Sequence, residues 1–160
     1  MVVELAAQLE KQPFAVAIAE GAWLFPGLEI AHVLSIALVV GSIGMVDLRL
    51  MGAGATDLRA SEFIRSVLPW TWTAFAVAAV AGSLMFVSRA TSYVENPYFQ
   101  AKLLLLLLAG VNMLGFHYVT ARNMASWELG RPPRSARASG ALSLLLWVST
   151  VTMGRFMGFV

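Results

Sequence analysis

Six ionisable side chains stand inside, or at the edges of, stretches that are otherwise almost pure hydrocarbon: Glu29, His32, Asp47, Lys102, His117 and Arg155. In lipid such groups are costly, and they mark substrate or ion paths, proton relays and cofactor ligands. Long cationic side chains at a span edge escape the cost by reaching back to water. The two histidines sit deepest and carry the most information. Glu29 and His32 are three positions apart, which puts them on one helix face, and Lys102 and Arg155 stand at the same end of their own apolar runs. Three chemistries suit this group. His32 can be the axial ligand of a haem, with Lys102 and Arg155 meeting its propionates or supporting a quinone. Glu29 and His32 form one Glu-x-x-His half of a metal site, although the matching half found in di-iron bundles is absent from the chain. Alternatively Glu29 is neutralised by Arg155 or Lys102, and His32 is a hydrogen-bonded bystander.

The two histidines do not suit one shared haem. Measured from Glu29 and Lys102 as the outer boundary, His32 lies about three residues in and His117 about fifteen, a depth difference of roughly 18 Å at the helical rise per residue. The inner group is therefore a separate environment. There Asp47, Arg122 and His117 are expected as structural polar pairs, with an Asp–Arg pair closing the inner ends of the first and third spans. Met45, Met85, Met113, Met153 and Met157 are expected to fill packing gaps. Asn112, in mid-span, must find an interhelical partner or line a polar cavity.

The elements that position these residues are four apolar runs, at 30–46, 70–87, 103–119 and 141–160. Crossing a hydrocarbon core of about 30 Å takes roughly 20 mostly apolar residues in helix. Only helices and closed barrels satisfy the backbone there, and no run alternates with period two, which excludes a barrel. Hydrophobic residues make up 59% of the chain and charged residues 12%, about half the usual globular share. The fold expected is all-α: an integral membrane four-helix bundle, one transmembrane domain over 1–160. Its spans are expected near 27–47, 68–88, 101–121 and 140–159, with a short interfacial helical segment over 1–25. Glu4 and Glu10 stand where a secretory signal would be basic, and Lys11-Gln12-Pro13 interrupts its apolar stretch, so the N-terminus is not expected to be a signal peptide.

Local punctuation refines the picture. Pro26 suits the first turn of the first span. Gly52 and Gly54 break the loop expected over 47–65, Pro69-Trp70-Thr71-Trp72 opens the second span with an interfacial aromatic belt, and Asn96-Pro97 marks a turn. Gly130-Arg131-Pro132-Pro133-Arg134 must be non-helical. Small residues one turn apart, at Ala74, Ala78 and Gly82 and at Gly154 and Gly158, predict close helix packing. With no cysteine in the chain, disulfides and thiolate metal sites are excluded. The net charge of +2 is not arranged as a basic stripe with interleaved aromatics, so the partner expected is the lipid bilayer, with a homo-oligomer or larger membrane complex open, and no nucleic acid.

Seven arginines (Arg49, Arg59, Arg65, Arg122, Arg131, Arg134 and Arg137) fall at the first and third loops, against Lys11, Arg89, Lys102 and Arg155 on the other side. The bias places those two loops in the cytoplasm and both termini in the periplasm.

Two stretches carry a family resemblance. Glu29-Ile-Ala-His32-Val-Leu-Ser-Ile-Ala-Leu-Val-Val-Gly41 and Lys102-Leu-Leu-Leu-Leu-Leu-Leu-Ala-Gly-Val-Asn112 are distantly similar to the superfamily of the CopD copper-resistance proteins and HemJ-type protoporphyrinogen oxidases. That resemblance implies a first-helix histidine, His32, and a Lys-Leu helix opening at Lys102, with haem b as cofactor. Trp23-Leu-Phe-Pro-Gly-Leu-Glu29 through His32, followed by Asp47-Leu-Arg-Leu-Met-Gly52, more closely resembles an uncharacterised bacterial four-helix inner-membrane family, over almost the whole chain. Three functions follow as expectations: a haem-binding redox or electron-transfer component with its site near the outer face; a small transporter or metal-handling protein using Glu29 and His32; or an accessory subunit of a larger membrane complex.

Overall fold

A computed structural model describes residues 1–54 and 57–159, without the side chain of Asn123. Ala55 and Thr56, in the expected first cytoplasmic loop, and Val160, at the end of the fourth apolar run, lie outside the described residues.

Seven α-helices follow in order: α1 Val2–Glu10, α2 Pro13–Glu20, α3 Leu24–Met51, α4 Ala60–Ser88, α5 Ala90–Glu95, α6 Pro97–Gly115 and α7 Arg134–Phe156. Four helical segments, Leu24–Met51, Ala60–Ser88, Pro97–Thr120 and Arg134–Phe159, are long and apolar enough to cross a bilayer. The chain is an all-α membrane protein built on a four-helix bundle. Leu34, Leu38, Val80, Leu104, Leu107, Val111, Leu145 and Val148 are exposed along these spans. In water that surface would be untenable, but against lipid tails it is the expected solvent contact.

The spans are not packed each against all. α3 lies between α4 and α7, and α6 rests on α7, giving a spatial order α4–α3–α7–α6. Among the described residues no Cα of α6 comes within 8 Å of one in α3 or α4. Small residues set the close contacts: Ala74, Ala78 and Ala81 are buried on α4, and a Cβ added at Gly140 of α7 would meet the Asp47 carbonyl of α3 at 2.8 Å. Ser42 and Thr71, both buried, join α3 to α4 through a 2.8 Å hydroxyl pair.

Several boundaries differ from the sequence expectation; α7 starts at Arg134, a residue expected to be non-helical, six residues before the expected span. α4 begins at Ala60 and runs through Pro69, because Phe63, Ile64 and Val67 pack on the core of Val46, Leu50, Phe116 and Trp127 and that burial outweighs one lost backbone bond. Asn96-Pro97 is a helix start rather than a loop: Asn96 Oδ1 accepts from the Tyr98 and Phe99 N–H groups, with Pro97 at the first helical position. The segment expected as a loop between the second and third spans contains α5. Gly52 does break the chain as expected, capping α3 at φ 81°, with the Ala53 N–H donating to the Leu48 carbonyl at 2.9 Å. After α6 the helix widens into a π turn at Phe116–Thr120 and tightens to a 3₁₀ turn at Ala121–Ser126.

The N-terminal helices sit at the end of the bundle where α4 gives way to α5. α1 packs on α5 and α2 on α4. Glu10 Oε1 accepts from the Thr91 N–H at 2.7 Å, filling an otherwise orphan donor in the first turn of α5.

Candidate functional site

Two clusters form, one at each end of the spans. At the end that the arginine bias makes the outer one, His32 is half-buried and its Nδ1 lies 2.7 Å from the Ala78 carbonyl of α4. A carbonyl only accepts, so Nδ1 carries the proton and Nε2 the lone pair. The ring fills a notch left by Gly82, where an added Cβ would sit 2.8 Å from His32 Cε1. Lys102 interacts electrostatically with His32 and lays its stem against Gly154, whose added Cβ would be 3.8 Å from Lys102 Cδ. Arg155 is exposed and lies over the Phe159 ring, 5.1 Å from its centroid. Glu29 is exposed, and among the described residues it forms no ion pair with Arg155 or Lys102. The same end holds Arg89 over the Phe25 ring at 4.6 Å and a stack of Phe86, Tyr93 and Phe99, with centroid distances of 5.3–6.2 Å. Burial pushes the Tyr93 phenol above its ordinary value, Arg89 opposing and Glu29 adding to the shift.

The inner end is richer than the sequence suggests. Asp47 is only 3% exposed. The Ser143 hydroxyl reaches its carboxylate, while Oδ2 is buried with no hydrogen-bond partner. Asp47 is not paired with Arg122, which is exposed and in no ion pair among the described residues. The expected Asp–Arg closure is replaced by a different clasp. Arg49 is fully buried, and its Nη2 donates to the Leu58 carbonyl at 3.0 Å and the Glu128 carbonyl at 2.8 Å. Glu128 in turn pairs with Arg59 at 3.6 Å and accepts from the Ser61 hydroxyl. Arg49 thus ties the end of α3 to both inner connections, a place that a count of loop charges cannot reveal.

Asp47 borders a cavity of about 180 Å³ enclosed by α3, α4, α6 and α7. Its wall is mostly apolar, with Thr71, Asn112, His117, Ser139 and Ser143 as further polar members. Asn112 does both things that its position requires: it lines the cavity, and it pairs with Ser139 through bonds of 3.0 and 3.1 Å. His117 lines the cavity too, its Nδ1 bonded to the Met113 carbonyl at 3.1 Å. The cavity lies where the backbones of α4 and α6 fail to meet. The aromatic stack bridges that gap at its outer end, and Phe116 and Trp127 close it at the inner end.

The structure keeps the two histidines apart. His117 follows Phe116, which packs on Val46, and Val46 is 14 residues along α3 from His32, or roughly 21 Å of helix. No group of three His, Cys, Asp or Glu side chains suited to a metal occurs among the described residues. Ser139, Ser143 and Trp147 are wall residues that the sequence reading misses. Their spacing of four places them on one face of α7, and that spacing is the available signal.

The family of unknown function DUF6644 matches residues 21–160. The chain belongs to this family. The match begins just before α3 and covers every span and both clusters, so α1 and α2 lie outside the part that DUF6644 defines. It agrees with the resemblance to an uncharacterised membrane family. No curated protein matches, and no solved structure matches.

Proposed function

We propose that this DUF6644 protein is a small intramembrane binding or transport protein whose ligand enters from the bilayer between α4 and α6 and is held beside Asp47. One observation carries the reading: a carboxylate oxygen buried without a partner, on the wall of a cavity, at the place where α4 and α6 stand apart. Isolated buried carboxylates are expensive, and in a bundle interior they mark the path of a substrate or ion. The cavity has the apolar wall and few polar groups of a small-molecule site, and its volume of about 180 Å³ restricts the ligand to a small one. The transporter reading made from sequence is kept, but its site moves from Glu29 and His32 to Asp47. The arginine bias supports an inner-membrane location with the Arg49–Glu128 clasp facing the cytoplasm and both termini outside.

The test uses a variant in which Trp147 is the sole tryptophan. In nanodiscs of brominated phospholipid, a cleft open to lipid gives strong quenching of Trp147. Gly110 faces open space within the cleft, with nothing within 4 Å of an added Cβ, so Gly110→Leu fills the cleft without a clash and reduces the quenching. Equal quenching with and without the Gly110→Leu substitution overturns lateral entry.

A second reading, haem-binding redox function, is favoured by one observation. The Nδ1–H of His32 is committed to the Ala78 carbonyl, the outer-shell bond that orients a ligating histidine and leaves Nε2 free for iron. Haem b bound there would supply one-electron chemistry. His32 would hold the iron, and Lys102 and Arg155, the cations at the same end of the spans, would face the propionates, while Glu29 on the same helix face stays a rim carboxylate. Protein expressed with ample haem should then show a Soret band that His32→Ala removes and His117→Ala leaves intact. Absence of any band removes this reading without touching the Asp47 cavity.

A further inference from the structure

We infer that the ligand class of the Asp47 cavity is an organic cation, a substituted ammonium carrying apolar groups; this rests on the binding reading above and adds to it the chemistry of what is bound. Three features of the wall point the same way. The first is charge. The residues lining the cavity include one carboxylate, Asp47, and no lysine or arginine. A ligand that brings a positive charge to Oδ2 supplies the partner which that buried atom lacks, whereas an anion would face an uncompensated like charge.

The second feature is that the polar side chains around Asp47 are bonded to other parts of the wall rather than to its Oδ2. The Asn112 side-chain amide donates to the Ser139 carbonyl, and the Ser139 hydroxyl donates to Asn112 Oδ1. The Thr71 hydroxyl donates to Ser42 Oγ. The His117 Nδ1–H is held by the Met113 carbonyl. Among the described residues of the wall, these bonds leave Asp47 Oδ2 as the buried polar side-chain atom without a partner, which suits a ligand that gives hydrogen bonds or positive charge.

The third feature is aromatic. Trp72, Phe75, Phe116 and Trp147 all line the same space. Aromatic faces attract cations, tryptophan most strongly, and the gain rises when the charge is desolvated; cages of this composition recognise quaternary ammonium groups. The apolar substituents of the ligand are accommodated by the remaining aliphatic wall and by the opening toward lipid. A cation of this kind has two sources, a free lipophilic amine or the ammonium of a lipid headgroup, and both present the same chemistry to Asp47.

The experiment compares phenyltrimethylammonium with tert-butylbenzene, the neutral molecule in which carbon replaces nitrogen. Binding to the full-length protein with all its native tryptophans, in nanodiscs, is followed by intrinsic tryptophan fluorescence. The cation is expected to bind at least about tenfold more tightly than its isostere. Asp47→Asn, which preserves shape, should erase that difference, and Phe75→Leu, which leaves the fluorophore in place, should weaken the cation selectively. Loss of cation affinity in phosphatidylcholine discs relative to discs of an uncharged glycolipid, which has no ammonium and no surface potential, identifies a headgroup ammonium as the natural occupant; equal affinity in both identifies a free cation. Tighter binding of tert-butylbenzene than of the cation overturns the cation inference and leaves a lipid-entered cavity standing. Binding of neither probe, together with unquenched Trp147 in brominated lipid, removes both. The two probes are compared on protein with native Asp47, so the outcome stands even if Asp47→Asn fails to fold.

Discussion

The imidazole of His32 occupies the space that Gly82 leaves on the facing helix, so closely that a Cβ on Gly82 would lie 2.8 Å from His32 Cε1. That contact, with the 2.7 Å bond to the Ala78 carbonyl one turn away, sets the approach of α3 to α4 near the outer end. The ring is held by a hydrogen bond and cannot swing aside freely. Gly82→Ala should therefore cost about 1–3 kcal/mol. In a His32→Ala background the same substitution should cost almost nothing. Thermal unfolding in detergent of the two single variants and the double variant gives the coupling; an additive pair would show that the notch is incidental.

Gly140 makes the corresponding contact at the inner end, against the Asp47 carbonyl at 2.8 Å and Leu50 Cβ at 3.2 Å. Backbone cannot yield as a side-chain tip does, so Gly140→Ala should separate α7 from α3 and lower the unfolding midpoint clearly, with about 1–3 kcal/mol lost. Gly41 meets nothing within 4 Å, and Gly41→Ala should be neutral or slightly stabilising. Equal effects at the two glycines would contradict the packing described.

Most of the architecture is legible in the sequence because a bilayer permits few alternatives: the four apolar runs admit little besides four helices. Asn96-Pro97 and Gly52 announce helix ends through local backbone chemistry, although the first reads equally as a turn because capping and turning use the same residues. Pro69 misleads for the opposite reason, since its local cost is overruled by burial of Phe63, Ile64 and Val67, which only the tertiary fold displays. The site is harder. His32 stands out because it is a lone ionisable group in an apolar run. Asp47 is conspicuous too, but the π and 3₁₀ turns after α6 carry its expected partner, Arg122, away from it. Arg49 counts in sequence as a cytoplasmic loop charge, whereas its value lies in reaching two carbonyls far apart along the chain, a relation that no single-chain pattern encodes.

Arg49 should matter well beyond its charge. Its two hydrogen bonds, to the Leu58 and Glu128 carbonyls, hold the inner connections to α3. Charge-assisted bonds of this kind contribute about 1.5–3 kcal/mol each. Arg49→Met, which keeps the volume, should lower the thermal midpoint and expose the peptide near Glu128 to limited proteolysis in inside-out vesicles. Unchanged cleavage there would mean that the clasp is held by Arg59 and Ser61 alone.

Because the chain has no cysteine, single-cysteine variants report orientation without a background. Cysteine at the exposed positions Asp57 or Ser135 should resist an impermeant maleimide in intact cells, while cysteine at Ser92 should react. Ready reaction at Asp57 and Ser135 would invert the topology drawn from the arginine bias.

The role given to Asp47 is tested most directly by its reaction with carbodiimides, which modify carboxyl groups. The lipid-soluble dicyclohexylcarbodiimide should label the protein at Asp47 in membranes, as read by mass spectrometry of the peptide, and a water-soluble carbodiimide should not. Gly110→Leu should slow the labelling by closing the cleft, and Asp47→Asn should abolish it. Labelling confined to exposed carboxylates such as Glu29, or labelling of Asp47 that is fastest with the water-soluble reagent, would contradict a site reached from the bilayer.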